Sequence, residues 1–186
     1  MMKKILYVGD SISAQFERLK KYDQVVNLGV GGFKTTDIIP LMKQIRLEQP
    51  DVIFLMIGIN DFLCNKRTWE HGYTIPFHKT YDVILDMIRI NLPRTKLYVL
   101  SILPINVFGQ ISEATSVAYN QEIDVINRFI LEKSKSYQAT FLDISQGFKV
   151  NQVLNPLWTK DGIHLNDLGY EHYEAVISKY FDGDTL

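Results

Sequence analysis

The sequence predicts a single α/β domain, residues 1–186, with a parallel sheet and helices on both faces. Three observations predict it. Strand-like and helix-like segments alternate along the whole chain, the signature of βαβ units. The run Asp51-Val52-Ile53-Phe54-Leu55-Met56-Ile57 is apolar at every position after Asp51, as a central parallel strand buried on both faces requires. The length also suffices. Area scaling gives a folded surface of ~9,000 Å² against ~31,000 Å² unfolded, so roughly 70% is buried without help from disulfide or metal.

The elements run in order along the chain. Ile5 to Val8 is a short apolar run closed by Gly9, a buried first strand, and residues 12–22 are the first helix candidate. Gln24 to Leu28 is the second strand. Thr35-Thr36-Asp37 offers N-cap chemistry for a helix to residue 48, with Ile38, Ile39, Leu41, Met42 and Ile45 as its apolar stripe and Gln49-Pro50 as its stop. After the central strand, Asn60 to His78 reads as a long polar and aromatic connection. Tyr81 to Asn91 is a helix with Val83, Ile84, Met87 and Ile88 facing inward, and Pro93 ends it. Leu97 to Leu100 is the fourth strand, Pro104 to Glu113 a loop, residues 114–136 a long helix, Thr140 to Leu142 a fifth strand. Asn166-Asp167 caps a last helix, 167–181.

Apolar residues make up 46% of the chain and charged residues 22%, which excludes disorder, collagen-like repeats and a pure coiled coil. A net charge of −1 leaves no basic footprint for nucleic acid, and no nucleic-acid partner is expected. The one cysteine, Cys64, cannot form an intrachain disulfide. The apolar run after Met1-Met2-Lys3-Lys4 is shorter than a signal core, and no stretch reaches the ~18 apolar residues of a membrane span. A cytoplasmic protein is expected. No heptad pattern announces a partner, so the oligomeric state is not readable.

In open parallel sheets, sites form at the carboxyl ends of the strands. Four segments stand there. In Gly9-Asp10-Ser11-Ile12-Ser13, Ser11 opens a helix; it reads either as an N-cap or as a side chain with chemistry. The α/β-hydrolase elbow is absent, because Ser13 stands where that motif needs glycine. Asn27-Leu28-Gly29-Val30-Gly31-Gly32 lets backbone approach a ligand closely. A dinucleotide fingerprint there fails at Lys34, and a P-loop fails at Phe33. Two readings stay open, a tight turn or a backbone N–H aimed at an oxyanion. In Gly58-Ile59-Asn60-Asp61, the Asn60 carboxamide either makes an Asx-turn or donates to developing negative charge. In Asp161-Gly162-Ile163-His164, the carboxylate stands three residues before the histidine and can accept from one ring nitrogen, leaving the other free as a base. His71, His78 and His172 show no metal-ligand spacing, and neither metal nor cofactor is expected.

Together these segments resemble the SGNH hydrolases, the GDSL-type esterases and lipases. The blocks GDSI (9–12), NLGVGG (27–32), GIND (58–61) and DGIHLN (161–166) occur in the family's order over residues 5 to about 180, with Ile12 where the name-giving motif has leucine. The resemblance implies a three-layer α/β/α sandwich, flavodoxin-like, around a five-stranded parallel sheet. It implies Ser11 as nucleophile, His164 as general base and then acid, and Asp161 as its orienting carboxylate. The oxyanion donors would be the Ser11 N–H, the Gly32 N–H, with Gly31 as the alternative, and the Asn60 side chain. The implied reaction is hydrolysis of a small-molecule acyl ester through an acyl-enzyme. A short acyl group is expected, from a carbohydrate O-acetyl ester or another small ester. Two loops are expected to wall the substrate: 60–78, with Phe62, Leu63, Trp69, Tyr73 and Phe77, and 104–110, with Pro104, Ile105, Val107 and Phe108. The aromatic residues of the first loop could equally form a satellite core. Two other readings compete: an acyltransferase using the same triad, and a non-catalytic module holding a phosphate or nucleotide at the glycine turn.

Overall fold

The computed structural model describes residues 3–68, 75–107 and 111–181. Five parallel strands form one sheet: β1 (Ile5–Gly9), β2 (Val25–Asn27), β3 (Val52–Met56), β4 (Lys96–Leu100) and β5 (Thr140–Leu142), in the order β2-β1-β3-β4-β5. This is the doubly wound order of flavodoxin-like sheets. The chain steps outward from β1 to β2, then returns to β3 on the other side of β1. The crevice between the ends of β1 and β3 is therefore the switch point where such sheets hold their sites.

Alternation along the strands sorts two cores. Leu6, Val8, Ile53, Leu55, Leu97 and Val99 face one layer of helices: α2 (Thr35–Glu48), α4 (Ile75–Asn91) and α5 (Glu113–Ser136). Ile5, Tyr7, Val52, Phe54, Tyr98 and Leu100 face the other, which holds α1 (Ser11–Ala14) and α6 (Asp167–Ile177). On that second face, Tyr7, Phe54 and Tyr98 are in register across three strands and stack with centroids 5.0 Å apart at each step. Cross-strand aromatic pairs of this kind fix register as well as burying area.

The structure departs from the sequence expectations at several elements. The first helix is not continuous over 12–22. It stops after Ala14, and a 3-10 turn comes after it at Glu17–Lys21. The Ser13 carbonyl, which an extended α-helix would offer to Glu17, accepts instead from Asn27 Nδ2 at 2.7 Å and from the Phe16 N–H. The connection after β3 is not all loop, since Ile59–Thr68 is helix α3. Ile59 and Phe62 are its buried stripe, and polar residues between them hid the period. Helix α4 starts at Ile75, six residues before the expected Tyr81, and its buried face is Phe77, Tyr81, Ile84, Leu85 and Ile88, with Val83 exposed. The last helix ends at Ile177, and a 3-10 turn over Ser178–Tyr180 continues it.

A short hairpin, β6 (Lys149–Val150) and β7 (Val153–Leu154), was not expected. Its two turn residues, Asn151 and Gln152, both have positive φ, as a type I′ hairpin turn demands. Among the described residues, no helix is long and apolar enough to cross a membrane.

Candidate active site

The four expected segments converge at the switch point. Ser11 is not the cap of α1. Asp10 is: its Oδ1 accepts from the Ile12 N–H at 3.0 Å. That leaves the Ser11 hydroxyl free for another partner, and His164 Nε2 lies 3.0 Å from it. On the other side of the ring, His164 Nδ1 lies 2.6 Å from Asp161 Oδ2. The remaining oxygen, Asp161 Oδ1, accepts from the backbone N–H groups of Ile163 at 3.0 Å and His164 at 2.7 Å. Burial pushes the Asp161 carboxyl up, but the bonds from the His164 ring and these two N–H groups outweigh it and hold the group below the usual carboxylate range. A carboxylate that stays ionised here favours the ring tautomer with its proton on Nδ1, so that Nε2 presents a lone pair to the serine.

The turn carrying both residues is locally over-determined. Thr159 Oγ1 accepts from the Gly162 N–H and donates to the His164 carbonyl, both at 2.8 Å. Gly162 has φ +86°, and a Cβ there would fall 1.8 Å from the Asn106 carbonyl oxygen, so this position admits only glycine without rearrangement. Asn166 then caps α6 by accepting from the Gly169 N–H, and Tyr170 from that helix donates to the Ile12 carbonyl at 2.9 Å.

Segments two and three are tied to each other. Asn60 Nδ2 donates to the Phe33 carbonyl at 2.9 Å, which holds the carboxamide beside the glycine turn. Asp61 accepts from the Thr35 N–H at 3.0 Å and the Thr35 hydroxyl at 2.7 Å, so the start of α2 is satisfied by a residue 26 positions away and not by the Thr35-Thr36-Asp37 stretch alone. Gly32 has φ +82° and, like Gly31, open space where a side chain would stand. Asn27 anchors the turn from behind, accepting from the Gly29 N–H while donating to α1.

Beneath these groups lies a small apolar cavity with room for about one water molecule, walled by Ile12, Ile59, Ile105 and Ile163. Pro104 lines it. Asp10 faces it too, and burial raises that carboxyl to about 7 against the opposing pull of the Ile12 N–H and nearby His164. Phe62 does not line the cavity. It is fully buried in the main core on the helical side and packs edge-on against Tyr119 at 5.6 Å. Trp69, Tyr73 and Phe108 lie outside the described residues. Among the described residues, no three His, Cys, Asp or Glu side chains group as a metal site.

Sequence reasoning missed three residues that build this geometry: Thr159, Asn106 and Asn120. Each works through backbone groups of segments distant in sequence, apart from the local Thr159. The one visible signal was polar residues on the apolar stripe of α5.

Comparison with known proteins gives a family and a fold. The profile of the GDSL-like lipase/acylhydrolase family matches residues 7–172. A GDSL-like lipase from Bacteroides thetaiotaomicron superposes with a TM-score of 0.80 at 22% identity, over 99% of this chain and 90% of that one. An acetylxylan esterase from Geobacillus stearothermophilus gives 0.76 at 15% identity, over 96% and 94%. At such identities the likeness is one of fold. In sequence, the chain is 26% identical over 179 residues to an N-acylneuraminate cytidylyltransferase of Escherichia coli O18:K1:H7 (strain RS218 / NMEC), and spans 94% of its own length but 39% of that relative.

Proposed function

The chain belongs to the GDSL-like lipase/acylhydrolase family, and from that premise we propose that it is a carboxylic ester hydrolase with Ser11 as its nucleophile, His164 as its general base and Asp161 as the carboxylate that orients the base. The observation that carries this reading is the unbroken line of hydrogen-bonding contacts from Asp161 through His164 to Ser11, at 2.6 and 3.0 Å. Ser11 Oγ attacks the ester carbonyl while Nε2 takes its proton. The alcohol leaves with that proton, and water then cleaves the acyl-enzyme by the same route. The oxyanion is received by the Ser11 and Gly32 N–H groups and by the second hydrogen of Asn60 Nδ2, the first being held by Phe33. Gly32 is preferred to Gly31 because it alone of the two has the left-handed backbone that re-aims a peptide N–H.

The substrate we assign is a small ester with a short acyl group, acetyl esters of carbohydrates among them. What supports a short acyl group is that the acetylxylan esterase shares the fold. We read the chain as one catalytic domain.

Intact-mass analysis after treatment with a fluorophosphonate tests the nucleophile without knowledge of the substrate. One adduct is expected, mapped to Ser11 and absent from Ser11→Ala. Folded wild-type protein that takes no adduct would refute the reading.

The geometry of the catalytic turn gives a second expectation. Gly162→Ala places a Cβ against the Asn106 backbone and asks a non-glycine residue for left-handed φ, which costs roughly 1–2 kcal/mol by itself. The turn must shift to relieve the contact, and an ångström of misplacement costs about 10² in rate. Both Tm and kcat should fall, measured on one preparation. A variant with wild-type kcat would show that the turn does not need this seat.

A further inference from the structure

The connection from β4 to α5 runs past the site as an extended wall, and two buried asparagines of α5 grip it. Asn120 Oδ1 accepts from the Ile105 N–H at 2.8 Å and Asn120 Nδ2 donates to the Ile105 carbonyl at 2.7 Å. Asn127 holds Ile102 in the same way, at 2.8 and 2.9 Å. Both side chains are buried. Each satisfies both backbone groups of one wall residue, which is the role a neighbouring strand plays in a sheet.

The two grips differ in the neighbours of the residue they hold. After Ile105 comes Asn106, whose backbone N–H donates to the Gly162 carbonyl at 2.7 Å. Its side chain donates to the Leu154 carbonyl at 3.1 Å, and the Leu154 N–H returns to Ile105. Gly162 is the residue directly after Asp161 and two before His164. Beside Ile102, by contrast, stands Ser101, which bonds to Leu142, Ile144 and Ser145 on the β5 side of the molecule. Both held residues line the apolar cavity, but only the Ile105 grip continues by a backbone hydrogen bond into the Asp161–His164 turn.

On the reading that Ser11, His164 and Asp161 form the catalytic line, we propose that Asn120 is a positioning residue for acyl transfer, acting through the backbone of Ile105 and Asn106 to fix the Asp161–His164 turn against Ser11. The segment that carries this turn is tied to α1 by the Tyr170 hydroxyl on Ile12 and by Lys160 on Gln15. Its tie to the sheet wall is the Asn106–Gly162 bond, and that wall residue is held from one side by its own side chain on Leu154 and from the other through Ile105, which Asn120 grips. Asn120 stands outside the cavity and touches none of the reacting groups, so its effect is on the placement of His164 relative to the serine oxygen.

Asn127→Ala is the internal control, since it removes the same chemistry from the same wall. The test is the second-order rate of fluorophosphonate labelling at Ser11, with Tm and the low-field proton resonance of the His164–Asp161 hydrogen bond, for wild type and both variants. Both variants should lose Tm. Asn120→Ala should label about 10² more slowly, the cost of a misplaced catalytic group, with its low-field resonance shifted or lost. In steady state its kcat should fall with KM little changed. Asn127→Ala should label at the wild-type rate and keep the resonance. Wild-type labelling by Asn120→Ala overturns the inference alone, as does equal slowing by both variants, which would make the grips structural only. Absence of labelling in the wild type overturns the catalytic reading and this inference with it. If Asn120→Ala does not fold, Asn120→Asp takes its place with the same expected readings. It keeps the shape and the acceptor for Ile105 N–H but sets an oxygen against the Ile105 carbonyl.

Discussion

Ser11→Ala and His164→Ala are each expected to lower kcat by about 10⁶, and the double variant by no more than either alone. The reason is that, on the proposed assignment, the two side chains perform one operation. Without Nε2 at 3.0 Å, the serine hydroxyl is a weak nucleophile; without the hydroxyl, the imidazole has no proton to take. Asp161→Ala should cost less, about 10⁴, because the histidine persists and only its tautomer and aim are lost. Steady-state kinetics on an activated acetyl ester, with active-site titration to exclude wild-type contamination, checks all four proteins. Additive losses in the double variant would show that the two residues act in separate steps, and would break the assignment of one as the other's base.

Asn60→Ala is expected to lower kcat by about 10² to 10³ with little change in KM. The carboxamide is held at the Phe33 carbonyl through one hydrogen, and the other is free to meet charge that exists only in the transition state. An interaction absent from the ground state acts on kcat and leaves KM alone. Asn60→Asp sharpens the test, because it keeps the shape but presents a carboxylate to the oxyanion and to the Phe33 carbonyl. Its loss should be at least as large. A fully active alanine variant would remove Asn60 from the oxyanion site.

The groups that come together at the switch point were legible in sequence because each stands directly after a strand or just before a helix, where local pattern and turn chemistry speak. The features that depended on distant partners were not. On position alone Ser11 read first as a cap, because sequence shows which residues can cap and not which one does; Asp10 takes the Ile12 N–H and holds that place. Helix α1 read long because nothing local announces that Asn27 will claim the Ser13 carbonyl. The start of α2 is satisfied by Asp61, which no window around Thr35 contains. Helix α3 was hidden because its stripe of Ile59 and Phe62 is sparse. One missed feature was readable. Ser116, Asn120, Ile123, Asn127, Ile130 and Ser134 are all buried on α5 at spacings of four and three. Asparagine repeated at seven on a buried stripe must have partners, and they proved to be the wall that passes the site.

On the assignment proposed above, the separation of Ser11, Asp161 and His164 along the chain has a consequence for assembly. His164 and Asp161 are three residues apart, whereas His164 and Ser11 are 153 apart. Ideal-chain closure makes the second contact about 3–4 kcal/mol harder to form than the first. The acid–base turn can therefore arise early and locally, and the contact that completes the enzyme is the one joining the two ends of the fold. A chain whose sheet has formed but whose last segment has not docked holds a serine and a paired histidine, yet cannot transfer an acyl group. Reactivity at Ser11 thus reports completion of the long-range topology rather than the presence of secondary structure.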